Sequence, residues 1–204
     1  MTIVFATAPG GVATVYGQGA AYATAREVGT ATTNNHFAGQ ATGYNCYEGV
    51  IVFATSGIPD TDDVSDVVLS LDGSIDGSTT DFTVNAASSA YDGGAALTTD
   101  YVAGSLLSAL SQYATFATSG YSADYNAFTS LGAAFNSAIN KTGNTAIMIY
   151  SDRHSAGTTP TGEEYVGFTD ADAAGTTVDP KLDITHAAGG GGPTVKTLAV
   201  LGVG

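Results

Sequence analysis

The sequence predicts an all-β protein, an antiparallel β-sandwich with one or two short helices, and three observations lead there. Residues 47–73, YEGVIVFATSGIPDTDDVSDVVLSLDG, read as strand, turn, strand. Val50, Val52 and Ala54 alternate with Ile51 and Phe53, and later Val67, Leu69 and Leu71 alternate with Asp66, Val68 and Ser70; a period of two is that of a β-strand. Between them Ser56-Gly57-Ile58-Pro59-Asp60 breaks the ladder, because glycine supplies unusual dihedrals and proline removes a donor. The second observation is that short apolar runs recur along the chain between Gly, Asp and Asn turns, the pattern of a sandwich. The third is composition. Charged residues are 12% of the chain, about half the usual share, and Gly, Ala, Thr and Ser take their place.

In chain order, residues 2–7 form an apolar strand stopped by Pro9-Gly10-Gly11. Residues 12–16 and 20–28 follow as weaker strands, and residues 29–45 are turn-rich, a loop or weak edge. After the strand pair of 47–73, Asp72-Gly73 and Asp76-Gly77 mark turns, and residues 81–86 place Phe82 and Val84 on one strand face. Residues 97–112 change character. Thr98-Thr99-Asp100 offers a helix cap, and Leu106, Leu107 and Leu110 recur at helical spacing. Residues 113–118 form a strand. Within 122–140, Tyr125, Phe128, Leu131, Phe135 and Ile139 are spaced by three or four, which predicts one short helix across the sandwich. Residues 141–144 turn, and residues 145–151, TAIMIYS, are the most apolar strand and belong at the centre of a sheet. Residues 164–169 and 181–186 supply the last two strands.

At 204 residues with 44% apolar content, the chain buries a real core as one domain over residues 1–186. Residues 187–193 read as a Gly-rich linker and 194–204 as an apolar tail carrying Val195, Leu198, Val200 and Leu201. That tail is either a last strand of the same domain or a strand that docks on a neighbouring subunit.

Nineteen acids against five bases give a formal charge of −14. Such a surface repels phosphate, so nucleic acid is not an expected partner, and it avoids anionic membranes. No run reaches the roughly 18 apolar residues of a membrane span. The opening residues MTIVFATAPGG lack the basic segment and long apolar core of a signal peptide, so synthesis in a cytoplasm without individual export is expected. The Gly/Thr/Ala/Tyr-rich, Lys-poor composition nevertheless resembles that of proteins working outside cells. A virion protein, made inside a host and released by lysis, reconciles the two.

Catalytic signatures are missing from the sequence. There is no G-x-S-x-G elbow, and the single cysteine, Cys46, excludes an intrachain disulfide and reads as a small buried hydrophobe. A glycosidase needs two carboxylates across one bond, but Glu163 and Glu164 are neighbours on a strand and face opposite ways. His36, His154 and His186 lack zinc-ligand spacing and read as surface or packed histidines. Asp60, Asp62, Asp63 and Asp66, and separately Asp170 and Asp172, put hard oxygen ligands on turns. They are candidates for a structural calcium ion, against a reading as solvated acidic turns. Otherwise no cofactor is expected. Eleven tyrosines remain as a resource. Sugar rings stack on aromatic faces, and Tyr44, Tyr47, Tyr91, Tyr101 and Tyr121 lie in or near loops where they could line a glycan site; the alternative is that tyrosine simply suits half-buried sheet positions.

The order of these pieces resembles that of the DNRLRE-like jelly-roll domains. YEGVIVFATSGIPDTDDVSDVVLSLDG is similar to their strand, Ser-x-Ile-Pro turn and Leu-alternating strand. YNAFTSLGAAFNSAINKTGNTAIMIYSDR resembles their helix-then-strand segment, and EEYVGFTDADAAGTTVDPKLDITH their acidic turn and closing strand. The similarity spans residues 22–186. It implies a jelly-roll sandwich of the kind found on bacteriophage structural and accessory proteins and on carbohydrate-binding modules, although this chain has no tryptophan. The expectation is therefore a non-enzymatic virion structural protein, a capsid decoration, head fibre, or tail or baseplate accessory. It would act through assembly contacts with other virion subunits, as a homo-oligomer on the virion surface, with contact to a host-surface glycan as an added role. A carbohydrate-binding module or adhesin of an extracellular protein is the alternative.

Overall fold

Two long strands, consecutive in the sequence, organise the computed structural model, which describes residues 1–7, 13–91, 93, 96–171 and 175–189. They are β5 (Asn45–Ala54) and β6 (Asp62–Asp76). Before them come β1 (Thr2–Phe5), β2 (Thr14–Gln18), α1 (Tyr22–Ala25), β3 (Ala31–Thr33) and β4 (His36–Ala41). After them come β7 (Thr83–Ser88), β8 (Gln112–Ala117), β9 (Tyr125–Ala127), β10 (Thr129–Ser130), α2 (Ala133–Ala138), β11 (Asn144–Ser151), α3 (Asp152–Ala156), β12 (Glu164–Phe168) and β13 (Lys181–Ala188). All the pairings are antiparallel, and the fold is an all-β sandwich.

The sheet forks at β5. Residues 45–49 pair with β2 along one edge. Along the other edge β4 takes residues 45–48 and β11 takes residues 49–54, so β4 and β11 leave the same edge end to end. One arm continues β4, β12, β6, β13, β1, and the other β11, β7, β8, β10. β6 pairs with β13 over its first part and with β12 from Gly73 onward.

The main core lies between the arms. Ile51, Phe53, Val84, Ile147 and Ile149 come from one side, and Val67, Leu69, Leu71, Val166, Phe168, Leu182 and Ile184 from the other. Full burial of each such side chain stabilises the fold by about 1.5–3 kcal/mol relative to exposure. Phe135 of α2 stacks on Tyr113 at 5.3 Å between ring centroids and closes one end. A second apolar layer uses the opposite face of β5 and β11. Val50, Val52, Met148 and Tyr150 pack there under Tyr91, Ala96 and Leu107, and the Tyr150 hydroxyl donates to the Leu107 carbonyl at 3.1 Å.

The strand pair of 47–73 and the central place of β11 match the sequence reading, but several elements differ. Residues 20–28 hold α1 rather than a strand, since Tyr22 and Ala25, three apart, form the buried side of one helical turn. Within residues 29–45, β3 is a short edge strand paired, among the described strands, only with β2, as a weak edge requires, but β4 is neither loop nor edge: it sits inside the sheet between β12 and β5. Its inward side chains include the polar His36 and Gln40, so a search for apolar alternation passes over it. Asp72-Gly73 is not a turn but lies within β6. Residues 97–112 form two short 3-10 turns, Thr98–Asp100 and Leu107–Ala109, and not a helix. Of the leucines there, Leu107 is buried while Leu106 is 59% exposed.

The helix expected over 122–140 shrinks to α2. Tyr125 and Phe128 instead accompany β9 and β10, where the Asn126 amide donates to the carbonyls of Leu71, Ser122 and Asp124. Gly132, at φ 70°, then marks the start of α2. The sequence reading also passed over α3, which Ser151 caps by accepting from the Arg153 N–H and Gly157 ends at φ 71°. At the far end β13 runs to Ala188, two residues into the expected linker, and the Gly189 N–H bonds the Thr61 carbonyl. The tail residues Val195, Leu198, Val200 and Leu201 lie outside the described residues.

Candidate functional site

The outer face of the β4 arm carries an aromatic groove. Register builds it in two rows. Tyr16 lies opposite Tyr47, Tyr47 opposite Gly39, and Gly39 opposite Tyr165. In the next row Phe37 faces Gly167, and Gly167 faces Ile75. Directly opposed residues share a sheet face, so all of these project from one surface. The glycines are what let large rings lie down upon it. A Cβ on Gly167 would stand 2.6 Å from both Phe37 Cε1 and Ile75 Cγ2. A Cβ on Gly39 would run into the Glu164 carbonyl and Tyr165, and φ there is 133°, a conformation that L side chains rarely adopt.

Ring centroids run 5.4 Å from Tyr16 to Tyr47 and 5.6 Å from Tyr47 to Tyr165, with Phe37 5.7 Å from Tyr47 and 6.1 Å from Tyr165. The planes are tilted by 42–69°, which makes a trough instead of a flat table. With Thr33 and Ile75 the rings line a hollow of about 230 Å³. All four rings are half-buried. Each ring packs against its aromatic neighbours and still keeps part of its surface in solvent, so aromatic surface is left for a ligand to stack on. Burial pushes the Tyr47 hydroxyl above its usual range, opposed by a hydrogen bond with Asn45 and reinforced by nearby Tyr165, Tyr16 and Glu163. Glu163 also accepts from the Thr42 hydroxyl at 2.9 Å.

Of the five tyrosines expected to line a glycan site, the structure puts only Tyr47 here. Tyr91 is buried in the second apolar layer. Tyr101 donates to the Ala25 carbonyl and meets His154 Nε2 at 3.1 Å. Tyr121 donates to the Gly167 carbonyl at 2.7 Å and packs on Phe168. Tyr44, at φ 55°, turns against the Tyr22, Ala25 and Cys46 cluster. The five do not share a face. Phe37, Tyr16 and Tyr165 were missed, although a signal was present: aromatic-x-Gly recurs as Phe37-Ala38-Gly39, Tyr47-Glu48-Gly49 and Tyr165-Val166-Gly167, on three neighbouring strands.

A second polar assembly fills the crotch of the fork, where α3 enters behind β11. Glu48 and His154 are both wholly buried, with Glu48 Oε1 3.8 Å from His154 Nδ1. Glu48 Oε2 accepts from the Val102 N–H at 2.8 Å. Burial holds the Glu48 carboxyl well above the usual range and lowers His154 to about 4. Beside them Glu164, also sealed, accepts from Arg153 Nε and Gln40 Nε2, each at 2.7 Å, and Gln40 in turn accepts from the Tyr22 hydroxyl. Cys46 is fully buried, its thiol pushed up to about 12 by desolvation and by Glu48, which leaves it inert as a nucleophile. These groups join α1, α3 and β5; none of them lines the groove.

The acidic turns are held by the protein itself. Lys141 Nζ donates to the carbonyls of Asp60 and Asp62, at 2.7 and 2.6 Å, and His186 Nδ1 lies 2.7 Å from Asp62 Oδ2. Asp63 borders the same hollow as Asp62 and Lys141, while Asp66 pairs with Thr185 across β13. Asp170 accepts from the Asn35 N–H at 3.3 Å, and Asp172 lies outside the described residues. Among the described residues no three His, Cys, Asp or Glu side chains converge as a metal-ligand set. The described candidates, Asp60, Asp62, Asp63, Asp66 and Asp170, are therefore not gathered into such a set.

No protein-family model matches this chain, and no curated protein matches its sequence.

Proposed function

We propose that this chain is a non-enzymatic virion surface protein whose aromatic groove contacts carbohydrate. The observation that carries the reading is the row Tyr16, Tyr47, Tyr165 laid across three strands over a glycine floor. Aromatic faces held in place by a sheet, with hydroxyls at their edges, suit the C–H faces and hydroxyls of sugars. A rigid scaffold also keeps the ordering cost of binding low.

The virion setting is supported by the resemblance of residues 22–186 to DNRLRE-like jelly-roll domains and by the acidic, Lys-poor composition. An acidic exterior keeps particles apart, and assembly contacts would hold the domain on a head, tail or baseplate. The non-enzymatic reading is supported by the fate of the acids. Glu48 and Glu164 are sealed inside and committed to hydrogen bonds, and Glu163 faces away from Glu164. The same groove would equally serve a carbohydrate-binding module or adhesin of an extracellular protein.

The test is a glycan array probed with the full chain and with Tyr47→Ala. Binding to a defined set of glycans, lost in the variant, supports the reading. A folded wild-type chain that binds no glycan overturns the carbohydrate role and leaves assembly as the function.

A further inference from the structure

The spacing and charge of the groove narrow its ligand, an inference that rests on the carbohydrate reading above. Tyr16, Tyr47 and Tyr165 succeed one another at 5.4 and 5.6 Å. That step reflects one inter-strand spacing of about 4.8 Å between Tyr16 and Tyr47 and, between Tyr47 and Tyr165, two rings from strands two apart that approach each other over the intervening Gly39. It is also close to the advance of an extended pyranose chain from one sugar to the next. A single sugar would cover one ring and leave the others bare. A chain running across the strands meets them in turn, with Phe37 flanking the second and third rings.

Charge decides which chains fit. The described bases are all engaged elsewhere. Arg26 pairs with Glu27 at 2.6 Å and Arg153 with Glu164 at 2.7 Å. Lys141 is held by the Asp60 and Asp62 carbonyls, and Lys181 sits between Asp183 and the face of Tyr125. None of these lines the groove. Besides its tyrosine neighbours, the acid Glu163 acts on Tyr47, on a chain of formal charge −14. A uronate, sialate or phosphate-bearing glycan would enter this trough against the field and find no cation among the described residues to pair with, whereas an uncharged chain loses nothing.

We infer that the groove takes an uncharged, extended oligosaccharide lying across β2, β5, β4 and β12, one pyranose unit per tyrosine, and rejects anionic glycans.

The experiment titrates the full-length chain with uncharged β-linked gluco- and manno-oligosaccharides of increasing length, and with oligouronates of the same lengths, at low salt. Affinity is expected to climb from the monosaccharide to the trisaccharide and then level, with oligouronates at least about tenfold weaker. Tyr47→Ala should lower trisaccharide affinity by about tenfold or more. Tyr16→Ala, at the end of the row, should abolish the gain from the third sugar, and it serves if the first variant does not fold. Oligouronates binding as well as the uncharged chains would overturn the charge argument, and a monosaccharide binding as tightly as the trimer would overturn the row; both leave carbohydrate binding intact. Binding of neither series by folded protein overturns the carbohydrate reading as well.

Discussion

The ring of Tyr47 stands 5.6 Å from that of Tyr165, and the residue between them in the sheet is Gly39. A sheet of ordinary composition would put a third side chain there. The groove is therefore made by what glycine leaves out as much as by what the aromatics bring, and that relationship can be tested directly.

Gly39→Ala should be the more damaging of two single-methyl changes. Its added carbon meets backbone at a φ of 133°, so the expected loss is about 2–3 kcal/mol of stability. Gly167→Ala meets only the edges of Phe37 and Ile75, which can tilt, so a loss of about 1–2 kcal/mol is expected, together with weaker sugar binding. Urea denaturation of both variants checks the order. Equal stabilities would mean that the floor tolerates Cβ atoms.

Glu48→Gln should make the protein less sensitive to alkali. The folded state keeps the Glu48 carboxyl protonated well above the ordinary value of 4.5, while the unfolded chain ionises it. The stabilisation from this group is fully present below 4.5 and is lost as pH rises toward the folded value. The neutral amide has no such loss. The stability of the variant relative to wild type should therefore improve as pH rises above 4.5, by up to about 1.4 kcal/mol per pH unit. Denaturation curves at a series of pH values measure it, and a constant difference would place an ionised carboxylate in the fork.

His36 predicts the opposite limb. It is wholly buried, and desolvation lowers it from 6.5 to about 4, against the opposing pull of Asp170 and the Ala13 backbone. A base depressed by folding contributes stability above pH 6.5 that is lost as pH falls toward the folded value. His36→Leu should flatten the acid limb between pH 6.5 and 4, where the wild type loses up to about 1.4 kcal/mol per pH unit through this residue. An unchanged limb in the variant would assign acid sensitivity to other groups.

Assembly is tested by mass in solution. If residues 190–204 dock on a neighbouring subunit, the full chain should be a defined oligomer and a chain ending at Gly189 should not. Gly189 is the appropriate end because its N–H still bonds the Thr61 carbonyl, so β13 stays whole. A chain ending at Gly189 with the same mass as the full chain removes residues 190–204 from the assembly contacts.

The sequence showed the frame of the sandwich and little of the groove, for physical reasons. Where inward residues are apolar, as at Ile51, Phe53, Val67, Leu69 and Ile147, alternation reports the buried face directly. β4 was hidden because its inward side carries His36 and Gln40, satisfied or enclosed by tertiary partners that no local window contains. The leucines of 97–112 and the aromatics of 122–140 imitate a helical period, yet Leu106 faces solvent and Asn126 binds three carbonyls. Tyr47 was identifiable as an aromatic next to a strand. Its partners were not, because the groove depends on register between β2, β4, β5 and β12, and register is set by the whole sheet.

The pairing of β1 with β13 has a consequence for how the molecule is made. Thr2 lies opposite Ile184, and β13 is the strand that joins β1 to β6. A ribosome delivers β1 first and must synthesise nearly all of the domain before its neighbour exists. Such sequence-distant pairing makes folding slow, and until β13 emerges, the first part of β6 keeps an unpaired backbone edge. This protein should fold after synthesis rather than during it, and its newly made chains should depend on chaperones more than its final stability would suggest.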